Sequence, residues 1–451
     1  MLAFGLAGWI PTRGAGQQAD TSRLAAADPA SDTAALGPRL SLDAVIARTL
    51  AHSPGMAGAR GAVRDASAAQ RVALGAYLPS LYVNSAAGWS DQTQAGTGAI
   101  GAPGVAQTSA ANTYGAGVAA AVDLFTGGRR GAQRSAADAF SRAADAGMIS
   151  QQYATMLAAK MGYFDVLRAR GLVRVARESV AQTGLGLAYA RDREAAGTAT
   201  RSDVLRAQLA LATARRQWLA AEDTLGMTGA ALGRLVGADG PVDAEPATTL
   251  DPTPLALGDS ALLTLAPTTA PVVVSAEAQA TASVANVRAS KTEYVPTITL
   301  GAGYNWANAS QVPGALRAGW IVTVGTSFPL FNGFVREATI TQAEAAADFA
   351  MATSADAKRL ARAEAQRLIG SLRVAEHDIA LAGESVRLAT EDLRVILARY
   401  RAGIATILDV LTSQAALVQA ELDLVSAHFN YQITRASLEA LLGRSLSGPE
   451  P

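Results

Sequence analysis

Leu124-Phe125-Thr126-Gly127 returns as Leu330-Phe331-Asn332-Gly333, 206 residues further along the 451-residue chain. The same offset relates Ala196-Gly197 to Ala402-Gly403, Asp203-Val204-Leu205 to Asp409-Val410-Leu411, Gln208 to Gln414 and Leu235-Val236-Gly237 to Leu441-Leu442-Gly443. Upstream the register slips, and Tyr77-Leu78-Pro79 matches Tyr294-Val295-Pro296 at an offset of 217. Punctuating residues that recur in order define an internal repeat, with the length difference absorbed in loops.

No proline lies between Pro103 and Pro241, or between Pro329 and Pro449, so two tracts keep every backbone N–H for helix. In the second, Leu372, Ile379, Val386, Leu393 and Tyr400 recur every seven residues, with Ala375, Ala382, Ala389 and Ile396 three residues after the first four. In the first, Val166, Val173, Val180 and Leu187, with Ala169, Ala176, Thr183 and Ala190, hold the same phase. This is an a/d heptad seam. The spacing predicts long helices over 127–195 and 333–401. At 1.5 Å per residue each spans on the order of 100 Å, so the molecule is expected to be elongated.

Each repeat reads as a helix, two strands, a very long helix, a turn and a returning helix. The first helices, 54–78 and 271–295, end at Pro79 and Pro296, which bias the preceding residue toward extended backbone. Strands are expected at 80–91, 112–124, 297–306 and 316–328, and return helices at 200–236 and 406–443. Leu81, Val83, Ser85, Ala87 and Trp89 form one face of the first strand, and Ile298, Leu300, Ala302, Tyr304 and Trp306 its counterpart. The division is a signal-like, disordered leader at 1–40, repeats at 41–240 and 271–445, a linker at 241–270 and a tail at 446–451. Strands of this length cross hydrocarbon when tilted, but four cannot close a barrel and lipid does not tolerate an open edge. Membrane-embedded strands therefore need several copies of the chain; the alternative is a small soluble sheet capping a helical bundle.

Composition narrows the function. The chain has 38 basic and 38 acidic side chains, three histidines, no cysteine and 5% aromatic residues. Its interior must be filled by alanine and small aliphatics. Zero net charge, without a basic run interleaved with aromatics, argues against a nucleic-acid partner. The missing cysteine closes disulfide, zinc-thiolate, thiol-nucleophile and cysteine-lipidation chemistry. His52, His377 and His428 are too dispersed for a metal site. No nucleophile, base and orienting group recur with usable spacing, so neither catalytic residues nor a cofactor is expected. The apolar run from Leu2 to Ile10, with no preceding Lys or Arg, reads as a truncated or weak secretion signal or a disordered leader. No segment of about 18 uninterrupted apolar residues is present. The glycine motif at 96–101 satisfies a dinucleotide-binding pattern, but no helix opens after it, and it reads as a hairpin loop. Arg168, Arg170, Arg174 and Arg177, near Glu178, are read as a charged helical face outside the seam.

The duplicated set resembles the TolC family of outer-membrane export channels. It comprises Tyr-x-Pro helix-to-strand switches, Leu-Phe-x-Gly strand-to-helix switches and Ala-Gly…Asp-Val-Leu…Gln turns, and covers roughly residues 40 to 445. Ser41-Leu42-Asp43-Ala44-Val45-Ile46, with Ser41 as N-cap, looks like the family's first block. The resemblance implies a mainly helical fold with a membrane β-barrel: a homotrimer sharing one 12-stranded barrel in outer-membrane lipid, above a long coiled-coil tunnel through the periplasm. It implies partnership with a periplasmic adaptor and an inner-membrane ABC transporter or other pump. Type I secretion of a protein such as a toxin is the expected task, with drug efflux as the alternative and a periplasmic coiled-coil scaffold as the reading of another class.

The two helix-to-helix turns carry the candidate site. Gly197 and Gly403 suit left-handed helix caps, while Thr200 and Thr406 can cap the next helix with Asp203 and Asp409 three residues on. In TolC-like channels these turns form the periplasmic tip, both entrance gate and adaptor dock, which assigns docking to Gly197, Gly403, Thr200, Thr406 and Arg201. Asp409 falls on the position whose carboxylates ring the entrance, and Asp203 and Tyr400 on positions that tie neighbouring helices when it is closed. The family's second acidic position is Thr412 here, and its gating arginine is Ala405, for which Arg201 or Arg399 would substitute. Trp89, Trp306 and Trp320 are assigned to an interfacial aromatic girdle.

Overall fold

The computed structural model describes residues 37–94, 107–246, 252, 255, 257–308 and 316–446; the apolar run at 2–10 and the glycine motif at 96–101 lie outside them. Along the chain come β1 (Arg39–Leu40), α1 (Leu42–His52), α2 (Pro54–Gly75), β2 (Ser80–Gln94), β3 (Gln107–Phe125), α3 (Arg129–Ala195), α4 (Arg201–Val236) and β4 (Asp243–Ala244). There follow α5 (Asp259–Thr269), α6 (Pro271–Lys291), β5 (Thr297–Asn308), β6 (Leu316–Ser327), α7 (Val335–Arg401) and α8 (Ile407–Leu442).

Local chemistry sets the boundaries. Ser41 and Ser53 open the first two helices, their hydroxyls accepting the N–H groups of Ala44 and Met56 at 3.4 Å. Pro54 takes the first position of α2, where its missing N–H costs nothing. α2 stops three residues before Leu78, because Tyr77 and Leu78 donate to Leu74 and Gly75 in a tightened last turn. In the second repeat a 3₁₀ turn, Thr292–Tyr294, does the same. α3 and α7 are each 67 residues long.

Four expectations are corrected. Residues 241–270 are not a bare linker: α5 lies there, and α5 and α6 repeat α1 and α2 at the offset of 217, so the second repeat begins at Asp259. Pro267 sits in the last turn of α5. Within the segment read as leader, Arg39 and Leu40 pair in parallel with Asp243 and Ala244. Arg170 also leaves its expected surface face and ion-pairs with the fully buried Asp243, which takes Arg39 at 3.3 Å on the same oxygen. Finally, Leu446 is buried rather than part of a loose tail, its N–H donating to Glu439 Oε1 at 3.1 Å. Glu439 also holds Lys160, so α8 is tied to α3 by a largely buried ion pair.

The four long strands form one antiparallel sheet in the order β2-β3-β5-β6. Its register aligns Val83, Val118, Tyr304 and Trp320 in one row, and Leu81, Ala120, Ala302 and Val322 in another. One face is thus apolar across all four strands, and its side chains are open, Val83 at 76% and Trp320 at 79% exposure. The opposite face is small and polar, as in the row Asn84, Gly117, Asn305 and Gly319. β2 and β6 are unpaired edges. Twelve residues of β5 reach about 40 Å, enough for a tilted strand to cross the ~25 Å apolar band of an outer-membrane barrel.

The helices form a similarly open layer. α3 packs against α4 on one side and α8 on the other, with α7 beyond α8; nearer the sheet, α2, α3, α6 and α7 follow in order. The chain therefore has two unlike sides, one of α2, α4 and β2, the other of α7 and β6. Each leaves apolar side chains uncovered: Leu205, Leu209, Leu219 and Met227 on α4, and Val374, Leu381, Leu388 and Val395, every seven residues, on α7. The segment Asp259–Tyr294 is long and apolar enough to pass for a membrane span, but it is broken between α5 and α6 and packs on α3 and α7.

Candidate functional site at the helical tip

At the end of the molecule away from the sheet, two turns of the same construction reverse the chain. Gly197 and Gly403 adopt φ of +73° and +78°, a conformation glycine enters without strain. Thr198 returns its N–H to Arg193 O at 2.8 Å, and Ile404 to Arg399 O at 2.9 Å, closing the helix ends. Each following helix opens with a reciprocal cap. Thr200 Oγ1 accepts the Asp203 N–H at 3.3 Å, while the Asp203 carboxylate accepts the Thr200 N–H at 2.9 Å; Thr406 and Asp409 repeat this at 3.3 and 2.7 Å.

These bonds favour the ionised carboxylates. The backbone N–H of Thr200, followed by its hydroxyl, holds Asp203 below the usual range, and Thr406 does the same for Asp409. A depressed carboxyl stabilises the fold above its unfolded pKa and loses that contribution as pH falls through the folded value. Amides in the first turns of α4 and α8 are therefore expected to exchange faster below about pH 4. Thr200→Ala or Thr406→Ala should speed them about fivefold at neutral pH. Hydrogen exchange read by mass spectrometry checks both; pH-independent protection would contradict the capping role.

The tip has its own core. Leu187, Ala190, Val204 and Ala207 of the first hairpin close on Tyr400, Ala405, Ile407 and Val410 of the second. Ala405, where the resemblance places an arginine, is buried in this cluster, so no charge fits there. Of the two expected substitutes, Arg201 is exposed and, among the described residues, makes no ion pair, and Arg399 lies close enough to Asp409 to favour its ionised form. Arg193 does the bridging. Its guanidinium lies 4.6 Å from the centre of the Tyr400 ring and donates to Tyr400 O and Thr198 O, each at 3.0 Å. Arg401 answers from the other hairpin, stacked 4.5 Å from the Tyr189 ring and bonded to its hydroxyl. Asp203 and Tyr400 do not bond each other: Asp203 is committed to its cap, and burial pushes the Tyr400 phenol up. Thr412 bonds back to Leu408 O at 2.9 Å on the exposed side of α8.

Arg193, Arg401 and Tyr189 were not legible as site residues. A basic residue in the last turn of a helix ordinarily complements its dipole, and only the relative rotation of two helices brings it onto a ring of the other. The aromatic residues read as a girdle lie at the far end of the molecule. Trp89, Trp306 and Trp320 share the apolar face of the sheet, with Tyr304 edge-on to both Trp306 and Trp320 at 4.6 and 4.7 Å.

Comparison with known proteins matches this architecture. The sequence model of the outer membrane efflux protein family fits residues 45–238 and 262–444. The chain is 26% identical over 417 residues to the pyoverdine export outer membrane protein OpmQ of Pseudomonas aeruginosa, covering 90% of this chain and 85% of OpmQ. It is 30% identical over 392 residues to protein CyaE of Bordetella pertussis, covering 83% and 78%. The crystal structure of the open state of the Neisseria gonorrhoeae MtrE outer membrane channel superposes with a TM-score of 0.69 at 19% identity, covering 90% of this chain and 89% of MtrE.

Proposed function

The chain belongs to the outer membrane efflux protein family and is an outer-membrane export channel, and from that premise we propose that it works as a passive trimeric conduit for secreted polypeptide. The carrying observation is the pair of unlike sides. A sheet with edges β2 and β6, over helices with uncovered apolar faces on α4 and α7, is satisfied when the α7 side of one copy meets the α2 and α4 side of the next. Such head-to-tail contacts generate rings. Three copies contribute twelve strands, whose apolar face, carrying Trp89, Trp306 and Trp320 at successive levels, meets lipid.

The helical tips then lie in the periplasm, where Gly197, Thr200, Arg201, Gly403 and Thr406 dock the adaptor of an inner-membrane transporter. Asp409, exposed in its capping box, repeats three times around the entrance and attracts cations to it. Asp409→Ala is expected to remove cation preference in single-channel recordings; an unchanged preference would dismiss the ring.

One feature supports a polypeptide cargo. Glycine, alanine, threonine and asparagine dominate the sheet face opposite the lipid, leaving no cluster of large side chains among the described residues to grip a small ligand. The name of OpmQ favours a second reading, export of a small secreted compound. Deleting the gene separates them: a protein missing from the medium supports the first reading. Retention of a small metabolite, or drug sensitivity with an unchanged secretome, supports the second.

A further inference from the structure

The corners where strand passes into helix differ between the repeats. β3 joins α3 through residues 124–128 and β6 joins α7 through residues 330–334, but the first corner ends on Gly128-Arg129 and the second on Phe334-Val335. Phe334 and Val335 are 70% and 61% exposed, beside Leu330 at 83% and Phe331 at 73%. The polar groups of this corner are turned onto one another. Asn332 Oδ1 accepts the Arg336 N–H at 3.4 Å, and the Arg336 guanidinium, 4.0 Å from the centre of the Tyr294 ring, donates to Pro329 O and Glu337. Four large apolar side chains are left at one surface, and Phe334 is set there in left-handed backbone, where the first repeat has glycine.

The duplication indicates what a neighbouring copy can cover. The first corner stands beside α6 of its own chain, as in a ring the second stands beside α2 of the next. At the first corner a Cβ on Gly127 would strike Val295, whereas one on Gly128 would meet no atom within 4 Å among the described residues. Leu124 and Phe125 stay 53% and 46% exposed with α6 in place. A neighbouring copy built the same way reaches Gly333 and leaves Leu330, Phe331 and Phe334 open. These side chains instead continue the apolar face of the sheet. The alternation that puts Trp320, Val322 and Val324 on that face extends to Phe328 and Leu330, and Phe125, the counterpart of Phe331, pairs with Ile298 of the same face across a bulge. The ten residues from Trp320 to Leu330 span about 33 Å, or about 25 Å along the membrane normal at a tilt of about 40°, the height of the apolar band of an outer-membrane barrel. Leu330 therefore falls at the inner margin of the hydrocarbon, with the stacked rings of Phe331 and Phe334 beside it.

We propose that the corner at residues 330–335 is a lipid-binding wedge, seated among the acyl chains of the periplasmic leaflet through Phe334 and Val335, for which the first repeat has no counterpart. The inference rests on the reading of the sheet as one third of a lipid-facing barrel. Each ring then carries three wedges at the level where barrel gives way to tunnel, and the apolar surface that water would leave uncompensated at Phe334 is covered by lipid.

The chain has no cysteine, so single spin labels can be placed without background. Phe334→Cys, Leu330→Cys, Val324→Cys and Arg174→Cys are each made in the full-length protein, checked for the wild-type oligomer, labelled with a nitroxide and reconstituted into vesicles of phosphatidylethanolamine and phosphatidylglycerol. Leu330→Cys stands in if Phe334→Cys does not assemble. Electron paramagnetic resonance compares collisions with oxygen, which concentrates in hydrocarbon, against those with a water-soluble nickel chelate. Labels at 334, 330 and 324 are expected to favour oxygen about tenfold more than the label at 174 on the solvent side of α3. A label at 334 that nickel reaches as freely as the one at 174, while the label at 324 favours oxygen, overturns the wedge and leaves the barrel reading intact. Shielding of 334 from both reagents also overturns it, because a neighbouring copy then covers the corner. Free access of nickel to 324 as well overturns the barrel reading, and the wedge with it.

Discussion

Arg170→Met is expected to lower the stability of each protomer by about 3–5 kcal/mol, the cost of leaving a buried charge without its partner. Asp243 has no exposed side-chain surface and, among the described residues, accepts from two guanidinium groups, Arg170 and the more exposed Arg39. Its second oxygen already lacks a partner among the described residues. Removing Arg170 therefore leaves the carboxylate with Arg39 alone, 59% exposed and screened by water. The double replacement Arg170→Met with Asp243→Leu should recover most of the loss, because an apolar pair of similar volume has nothing to desolvate. Urea unfolding of the detergent-solubilised protein, followed by circular dichroism, measures both. A loss under 1 kcal/mol for the single variant would remove the buried pair from the account of how β1 and β4 are anchored against α3.

Replacing Leu381 and Leu388 together by glutamate is expected to abolish assembly without unfolding the protomer. Both side chains are more than half exposed on the open side of α7 and touch no core cluster of their own chain. Within a ring they are covered by α4 of the next copy, and two unpaired carboxylates at each of three interfaces far outweigh any one contact there. Arg174→Ala on the solvent side of α3 removes an exposed i,i+4 pair with Glu178 and should leave assembly unchanged. Light scattering in detergent reads the outcome. An intact oligomer in the double-glutamate variant would mean that α7 faces solvent.

Legibility in the sequence followed physical range. Features set by neighbouring residues could be read directly. The Tyr-x-Pro switches, the cap pairs Thr200–Asp203 and Thr406–Asp409, and the alternation from Leu81 to Trp89 each express local rules, and duplication doubled every signal. The fold class followed, since two tracts of heptads and four amphipathic strands leave few arrangements. Features needing the third dimension stayed hidden. β1 and β4 are two residues each and lie 204 apart, too short to carry a period. α5 was passed over as linker, although the offset of 217 that links Tyr77 to Tyr294 also links α1 to α5. Arg170 looked like its exposed neighbours because a heptad reports one seam, whereas α3 packs against α1, α2, α4, α6 and α8. At the tip, heptad phase placed Tyr400 in the core, but not Arg193 upon it.

One conformational detail separates the repeats. Phe334 stands where the first repeat has Gly128, and it keeps the left-handed conformation at φ +66°, the one positive φ outside glycine among the described residues. Such a backbone costs about 1–2 kcal/mol for an L-residue. The Phe334 ring packs edge-on against Phe331, 5.4 Å away, at a corner that is otherwise exposed.

The account depends most on one chain supplying a third of a closed wall. Electron cryomicroscopy of the full-length protein in lipid nanodiscs tests this directly. The expected particle has threefold symmetry, with β6 of each copy hydrogen-bonded to β2 of the next in a 12-stranded barrel above a continuous helical tube. A particle of another multiplicity, or a single copy whose sheet keeps both edges free, would contradict it.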